Sequence, residues 1–178
     1  MEKEWNVSEV MRHARHDWLN RIMLIKGNLD LNKIDGAKSV IDQIISESQN
    51  EAMLGNLHMP LFSELMLTGN WNSHPFKLEY EVLEADGPCP DFDGPAAAWT
   101  RKFFEELKSD LEPFSENNLT VSIYKADKNI RFLYELQGNI TSVEKLGKFI
   151  ERTRMTGVEA ILLKIGRKEL AIELKGSL

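Results

Sequence analysis

Apolar residues recur at alternating intervals of three and four between residues 8 and 31, and this pattern strongly limits how the chain can fold. They include Met11, Ala14, Trp18, Ile22, Ile25 and Leu29. Such spacing puts all of them on one side of an α-helix and leaves the opposite side polar. The pattern therefore predicts an amphipathic helix from Ser8 to Leu31, with Ser8 as its N-cap.

A second helix is predicted to follow a turn in "NKIDG", which ends at Gly36. From Ala37 onward the apolar residues again keep helical spacing, so residues 1–58 are predicted to form a helical hairpin. Two amphipathic helices cannot cover both of their apolar stripes, whereas two hairpins packed together bury them in a four-helix bundle. We therefore expect a homodimer. The alternative is that the hairpin packs on the chain's own C-terminal domain.

The sequence pattern changes after Pro60, and residues 59–178 are predicted to form an α/β domain. Short alternating segments typical of strands are interspersed with helical ones, which makes the fold class α+β with a largely antiparallel sheet. The predicted elements are a short helix in "LFSELML", a strand in "FKLEYEVL", a loop in "DGPCPDFDGP", a helix from Ala96 to Leu111, strands "NLTVSIYK" and "NIRFLYEL" around the turn "ADKN", a helix from Ser142 to Arg154, and the strands "AILLKIG" and "ELAIELKG".

Composition excludes several classes of function. The formal net charge is -6 and the pI is about 5.3, which argues against a nucleic-acid surface. A single cysteine, Cys89, excludes an intramolecular disulfide framework and fits a reducing compartment; we expect it to be a small loop residue. The longest apolar runs fall well short of the ~20 residues of a membrane span. We therefore expect a cytoplasmic protein that does not bind membranes.

Two of the four histidines lie in the first predicted helix, and their positions on it differ. With the centre of the apolar stripe at 0° and about 100° per residue, His16 falls at about 160° and Asn20 at about 200°. Gly27 and Met23 lie on the same side, at about 180° and about 140°. His16 therefore faces away from the core, either as a solvated surface group or as part of a functional surface.

Three residues favour the functional surface. Met23 and Leu24 are apolar residues outside the stripe, and Gly27 in mid-helix costs about 1 kcal/mol relative to alanine. A glycine there permits another molecule to approach closely, so this side of the helix is predicted to be a docking surface. A metal site built on His13, His16 and Asp17 is disfavoured, because a closed site needs three or four convergent ligands.

The segment "RHDWLNRIMLIKGNLDLNKIDGA", together with "LEYEVL" and "NNLTVS", resembles the sporulation initiation phosphotransferase B family, which is related to two-component sensor histidine kinases. The resemblance implies a helical hairpin that dimerises into a four-helix bundle. It also implies that the histidine followed by aspartate, here His16, is phosphorylated. The C-terminal domain is then expected to resemble a kinase ATP-binding domain that has lost its nucleotide chemistry.

The sequence permits a test of that loss. The helix that carries asparagines for magnesium and ATP in kinases reads "WTRKFFEELKSDLE" here and contains none. Where a kinase has Asp-x-Gly-x-Gly after a strand, this chain has "YELQGNI", with one glycine and no aspartate. We therefore expect no bound cofactor and no autophosphorylation from ATP.

The resemblance implies a phosphotransferase of a two-component phosphorelay. His16 would take a phosphoryl group from the aspartate of a single-domain response regulator and pass it to the aspartate of a DNA-binding one, with Mg²⁺ supplied by the regulator. Asn20 is expected to orient the imidazole ring or to contact the regulator. Arg12 and Arg15 are expected to steer the acidic pocket of the regulator, and Asp17 is expected to be a further supporting residue of the site. The alternatives are a non-enzymatic dimeric scaffold that binds response regulators and a residual ATP-dependent histidine kinase.

Overall fold

A computed structural model describes residues 5–126, 129–153 and 155–176. The chain divides into two compact units, residues 1–49 and residues 50–178. The predicted fold class is confirmed: the N-terminal region is helical and the C-terminal region is an α/β sheet domain. The domain boundary predicted between residues 58 and 59 stays a prediction.

Helix α1 spans Val7–Asp30 and begins earlier than predicted. Its N-cap is Asn6 rather than Ser8, because the Asn6 side chain accepts a hydrogen bond from the Glu9 backbone N–H at 3.0 Å. The Glu9 carboxylate bonds back to Asn6, which completes a capping box. The helix ends before Asn32, whose positive φ of 56° reverses the chain.

Helix α2 spans Ile34–Asn56, so only Asn32 and Lys33 of the predicted turn "NKIDG" lie between the helices and the turn ends earlier than predicted. Gly36 instead lies in the first turn of α2, facing α1. A Cβ atom at this position would collide with the side-chain amide of Asn28, so a larger residue here would require the Asn28 side chain to move. Arg21 of α1 and Glu47 of α2 form an ion pair further along the hairpin.

The apolar stripe of α1 is exposed in the single chain. No residue of α1 is classed as buried, and Met11, Trp18 and Ile22 are each exposed by 53–54%. On α2, Ile41 and Ile45 are also exposed, by 43% and 50%. One hairpin alone therefore leaves large apolar side chains of both helices in contact with water.

The C-terminal unit is a five-stranded sheet with helices. The elements are α3 Pro60–Thr68, β1 Lys77–Ala85, α4 Asp93–Asp110, β2 Asn118–Ala126, β3 Asn129–Gln137, α5 Val143–Arg152, β4 Val158–Ile165 and β5 Glu169–Gly176. The strand order in the sheet is β1-β2-β3-β5-β4. Strands β1 and β2 pair in parallel and the other three pairs are antiparallel, which confirms the largely antiparallel sheet.

These bounds agree with the predicted elements apart from their ends. Residues 90–92 of the predicted loop form a 3₁₀ turn, and α4 starts at Asp93, three residues before Ala96. Pro95 is tolerated there because the first turn of a helix has no intrahelical acceptor for its N–H. Residues 127 and 128 of the predicted turn "ADKN", and Arg154 at the predicted end of the fifth helix, lie outside the described residues.

The core lies between the sheet and its helices. Along β3, residues at every second position are fully buried, as expected for a strand with one face on a core. Phe132 of β3 packs on Phe62 of α3 with ring centroids 4.7 Å apart. Tyr134 packs on Trp99 of α4 at 5.3 Å and donates to or accepts from Thr100 at 2.6 Å. Helices α3 and α4 therefore cover the same face of the sheet.

Both edge strands of the sheet are irregular. The register of β1 against β2 shifts between Val82 and Glu84, and that of β4 against β5 shifts between Leu162 and Lys164. Each shift leaves one unpaired leucine, Leu83 or Leu163, exposed by about half. A β-bulge of this kind bends an edge strand and interrupts its row of hydrogen-bonding groups.

Helix α3 receives its N-terminal cap from a distant residue. Its own N-cap, Met59, makes no side-chain hydrogen bond. The carboxylate of Asp93, at the start of α4, instead accepts from the backbone N–H groups of Leu61 at 3.1 Å and Phe62 at 2.8 Å. Asp93 is 7% exposed, so these two charge-assisted bonds are formed away from water.

Candidate phosphoacceptor site on helix α1

The candidate site is the surface of α1 around His16. The side chain of His16 is 72% exposed, in agreement with its predicted position opposite the apolar stripe. The capping box at the start of α1 and the hairpin contacts further along fix the helix that carries it. The imidazole is therefore presented to solvent from a regular helix rather than from a loop.

Two neighbours approach the same ring nitrogen of His16. Nδ1 lies 3.3 Å from Oδ1 of Asp17 and 3.3 Å from Nδ2 of Asn20. Among the described residues, Nε2 has no hydrogen-bond partner. The ring is thus held at one nitrogen and open at the other.

The charge of Asp17 favours one of the two ring nitrogens as the nucleophile. A carboxylate accepts hydrogen bonds, so its contact with His16 favours the tautomer that carries the proton on Nδ1. In that tautomer the lone pair is on Nε2, the open nitrogen. The amide NH₂ of Asn20 favours the opposite tautomer when it donates to Nδ1, so these two neighbours compete for the same atom.

The other predicted site residues lie on the surface of α1. Arg12 and Arg15 are exposed, and neither has an ion-pair partner among the described residues. Met23 and Leu24 are exposed by 68% and 58%, and no atom lies within 4 Å of the position of a Cβ at Gly27. We refer to Met23, Leu24 and Gly27 as the exposed strip. Its use in docking stays a prediction.

One neighbour of the site was missed in the sequence. Trp5, just before the capping box, lies against His13 with ring centroids 5.1 Å apart and an interplanar angle of 88°. His13 is partly buried, whereas His16 is exposed. Trp5 stands outside the helical pattern, so periodicity did not connect it with His13.

Other titratable groups are less suited to chemistry at neutral pH. Burial raises the pKa of the Cys89 thiol to about 11, so this buried residue stays protonated and is a poor nucleophile. Burial, together with the charge of Lys108, lowers the pKa of His74 to about 4. The ring of His74 stacks on Phe76 at 4.8 Å, which is typical of a structural role.

The C-terminal unit has a surface groove of about 560 Å³ beside α5, with several charged side chains. Lys145 pairs with Asp110 at 2.9 Å and Glu106 at 3.2 Å, and Lys148 pairs with Glu144 at 2.5 Å. Hydrogen bonds to Asp110 and Glu106 raise the pKa of Lys145. Both lysines have carboxylate partners, whereas Arg152, which also lines the groove, has no ion-pair partner within the described ranges.

The described residues contain no group of three or more histidine, cysteine, aspartate or glutamate side chains arranged to hold a metal ion. Nor is any helix within the described ranges both long and apolar enough to cross a membrane.

Comparison with known proteins covers both units. Residues 58–176 match the family described as sporulation initiation phospho-transferase B, C-terminal, and residues 1–57 match the sensor kinase SpoOB-type α-helical domain. The chain is 39% identical over 114 residues to sporulation initiation phosphotransferase B of Bacillus subtilis (strain 168). That match covers 64% of this chain and 59% of the relative, so it spans less than two thirds of the relative's length.

Solved structures are more distant. The histidine kinase AdeS of Acinetobacter baumannii matches with a TM-score of 0.42 and 10% identity, over 91% of this chain and 97% of that one. A bacterial phosphotransferase solved at 1.7 Å matches with a TM-score of 0.37 and 13% identity, over 97% and 98%. The family models, which together match residues 1–176, confirm the resemblance found in the sequence. The chain belongs to the sporulation initiation phosphotransferase B family.

Proposed function

We propose that this protein is a phosphotransferase of the two-component phosphorelay that initiates sporulation. It takes a phosphoryl group from the aspartate of one response regulator onto His16 and passes it to the aspartate of a second regulator. The single observation that carries the proposal is the geometry of His16. Its ring is exposed on a helix, contacted at Nδ1 by Asp17 and open at Nε2, in a member of this family.

The transfer is a displacement at phosphorus. The Nε2 lone pair of neutral His16 forms a bond to the phosphorus of the aspartyl phosphate. The P–O bond to the aspartate breaks, and its electron pair leaves with the carboxylate. The ring gains positive charge, which the Asp17 carboxylate stabilises while it accepts the Nδ1 proton's hydrogen bond. The reverse displacement by the second regulator's aspartate restores neutral His16.

Phosphoryl transfer requires mainly in-line positioning and neutralisation of charge. The guanidinium groups of Arg12 and Arg15 lie about one turn or less from His16 and form no ion pair with any residue that the structure describes, so they suit an acidic, phosphorylated partner. Mg²⁺ would be supplied by the regulator. The exposed strip and Asn20 would form the contact surface on which a regulator is oriented, and the proposed location is the cytoplasm.

The assembly is proposed to be a homodimer. The exposed stripe of α1 and α2 has the spacing of a four-helix bundle, and two copies would cover it. Burial of apolar surface is worth roughly 25 cal/mol per Å², so covering the exposed stripe of each hairpin, which includes Met11, Trp18, Ile22, Ile41 and Ile45, favours association strongly.

A charge placed in this stripe is expected to separate the subunits. Trp18→Glu would bury a carboxylate in the middle of the bundle, so we expect a monomer at micromolar concentration where the unmodified protein is a dimer. Light scattering coupled to gel filtration measures the mass directly. The matched control is Met23→Glu, which adds the same charge to the other side of α1 and is expected to remain dimeric. A monomeric unmodified protein, or a dimeric Trp18→Glu variant, would contradict the proposed assembly.

The source of the phosphoryl group tests the function itself. The full chain is mixed with a single-domain response regulator radiolabelled at its aspartate and, separately, with radiolabelled ATP and Mg²⁺. We expect acid-labile, base-stable label from the regulator and none from ATP. Label from ATP would make the protein a histidine kinase, and stable binding of the regulator without any label would make it a scaffold.

A further inference from the structure

His13 and His16 lie one helical turn apart, separated by about 4.5 Å along the axis of α1. Both side chains are imidazoles on the same helix, so the type of side chain does not explain why one of them and not the other would accept a phosphoryl group. Their surroundings differ, however. His16 is exposed and contacts two polar side chains, whereas His13 is partly buried and contacts an aromatic ring.

Trp5 is held in place by the local structure. The capping box between Asn6 and Glu9 fixes the direction in which the chain enters α1. The residue before the N-cap is thereby directed back along the first turns of the helix. The indole of Trp5 then meets His13 edge to face at 5.1 Å, a preferred geometry for aromatic rings.

We infer that Trp5 shields His13 from phosphorylation and so leaves His16 as the acceptor of the pair. A ring nitrogen attacks phosphorus only if the donor approaches it in line and without obstruction. The indole occupies space beside the His13 ring, and none of the aromatic rings in the described part of the chain lies against His16. This inference rests on the proposed role of His16 and adds Trp5 as a residue that determines specificity.

Chemical phosphorylation tests the shielding without any response regulator. Potassium phosphoramidate transfers its phosphoryl group to imidazole: a ring nitrogen bonds to phosphorus, the P–N bond breaks, and ammonia leaves with that electron pair. The full chain is labelled at neutral pH, and mass spectrometry maps phosphohistidine at each site over time. His58 is exposed and serves as an internal reference.

We expect the unmodified protein to be labelled at His16 and His58 well before His13. An aromatic pair is worth about 0.5–1.5 kcal/mol, so Trp5→Ala is expected to raise the labelling rate of His13 by about two- to twelvefold. The rates at His16 and His58 should not change. The matched control is Val7→Ala, which shortens another side chain at the start of α1, one that is 80% exposed.

The Trp5→Phe variant distinguishes loss of the aromatic contact from fraying of the first turn of α1. It keeps an aromatic ring beside His13, so its His13 rate should stay near that of the unmodified protein. Far-UV circular dichroism checks that each variant keeps its helical content. Equal labelling of His13 and His16 in the unmodified protein, or an unchanged His13 rate in Trp5→Ala, would overturn the inference. Neither result depends on transfer from a regulator, so failure of the proposed function would be seen separately.

Discussion

Replacing His16 with alanine is expected to lower phosphoryl transfer between response regulators by at least about 1,000-fold, the scale of loss when an essential nucleophile is removed. Alanine has no lone pair with which to form the intermediate. The neighbouring side chains cannot replace the imidazole of His16 as the nucleophile, because Asp17 has a carboxylate and Asn20 has an amide. Transfer is measured as radiolabel that reaches the second regulator in single-turnover reactions.

The matched control is His13→Ala, which removes the other histidine of the same helix. We expect it to transfer at nearly the rate of the unmodified protein. Binding of the regulator to His16→Ala, followed by calorimetry, separates lost chemistry from lost docking. If transfer survives in His16→Ala and is lost in His13→Ala, the acceptor is His13 and the proposed role of His16 is wrong.

Replacing Asp93 with alanine is expected to reduce the free energy of unfolding by about 3 kcal/mol. The substitution leaves the backbone N–H groups of Leu61 and Phe62 without an acceptor, and each buried unsatisfied group costs roughly 1–3 kcal/mol. Relaxation of the first turn of α3 toward water keeps the total below the sum of the largest values. Urea denaturation followed by circular dichroism gives the change.

Asp91→Ala is the control for this effect, because Asp91 is an exposed carboxylate two residues earlier in the same segment. We expect a change within about 0.5 kcal/mol for it. Asp93→Asn should fall between the two, since an amide keeps one acceptor oxygen and loses the charge. Equal destabilisation by Asp91→Ala and Asp93→Ala would show that the cap of α3 contributes nothing specific.

The periodicity of apolar residues predicted most of the secondary structure. The spacing within each helix or strand reflects which of its faces is buried, and this requires no knowledge of distant residues. The N-cap of α1 was wrong although the sequence held the signal: Asn6 is followed three residues later by Glu9, whereas Ser8 is followed by Met11. The position of Gly36 inside α2 was not predictable from the turn propensity of glycine, and its close approach to Asn28 involves a residue of the other helix.

Contacts between distant residues account for what the sequence did not predict. Nothing local indicates that Asp93 caps a helix that starts 33 residues earlier. The alternation of apolar and polar residues likewise identifies β1 and β2 as strands, but it does not predict that they pair in parallel. At the candidate site, the helical position of His16 was predictable, because it follows from rotation about one axis. The contact of Trp5 with His13 was not, because Trp5 precedes the helix.

The bulges in β1 and β4 have a consequence for how the protein behaves when it is concentrated. A sheet with two regular, open edges can add strands from other molecules and grow into fibrils. Here each outer strand loses its register partway along, at Leu83 and at Leu163, so a second sheet cannot continue the ladder over its full length. The C-terminal unit is therefore expected to resist polymerisation, and substitutions that straighten either edge are expected to promote aggregation.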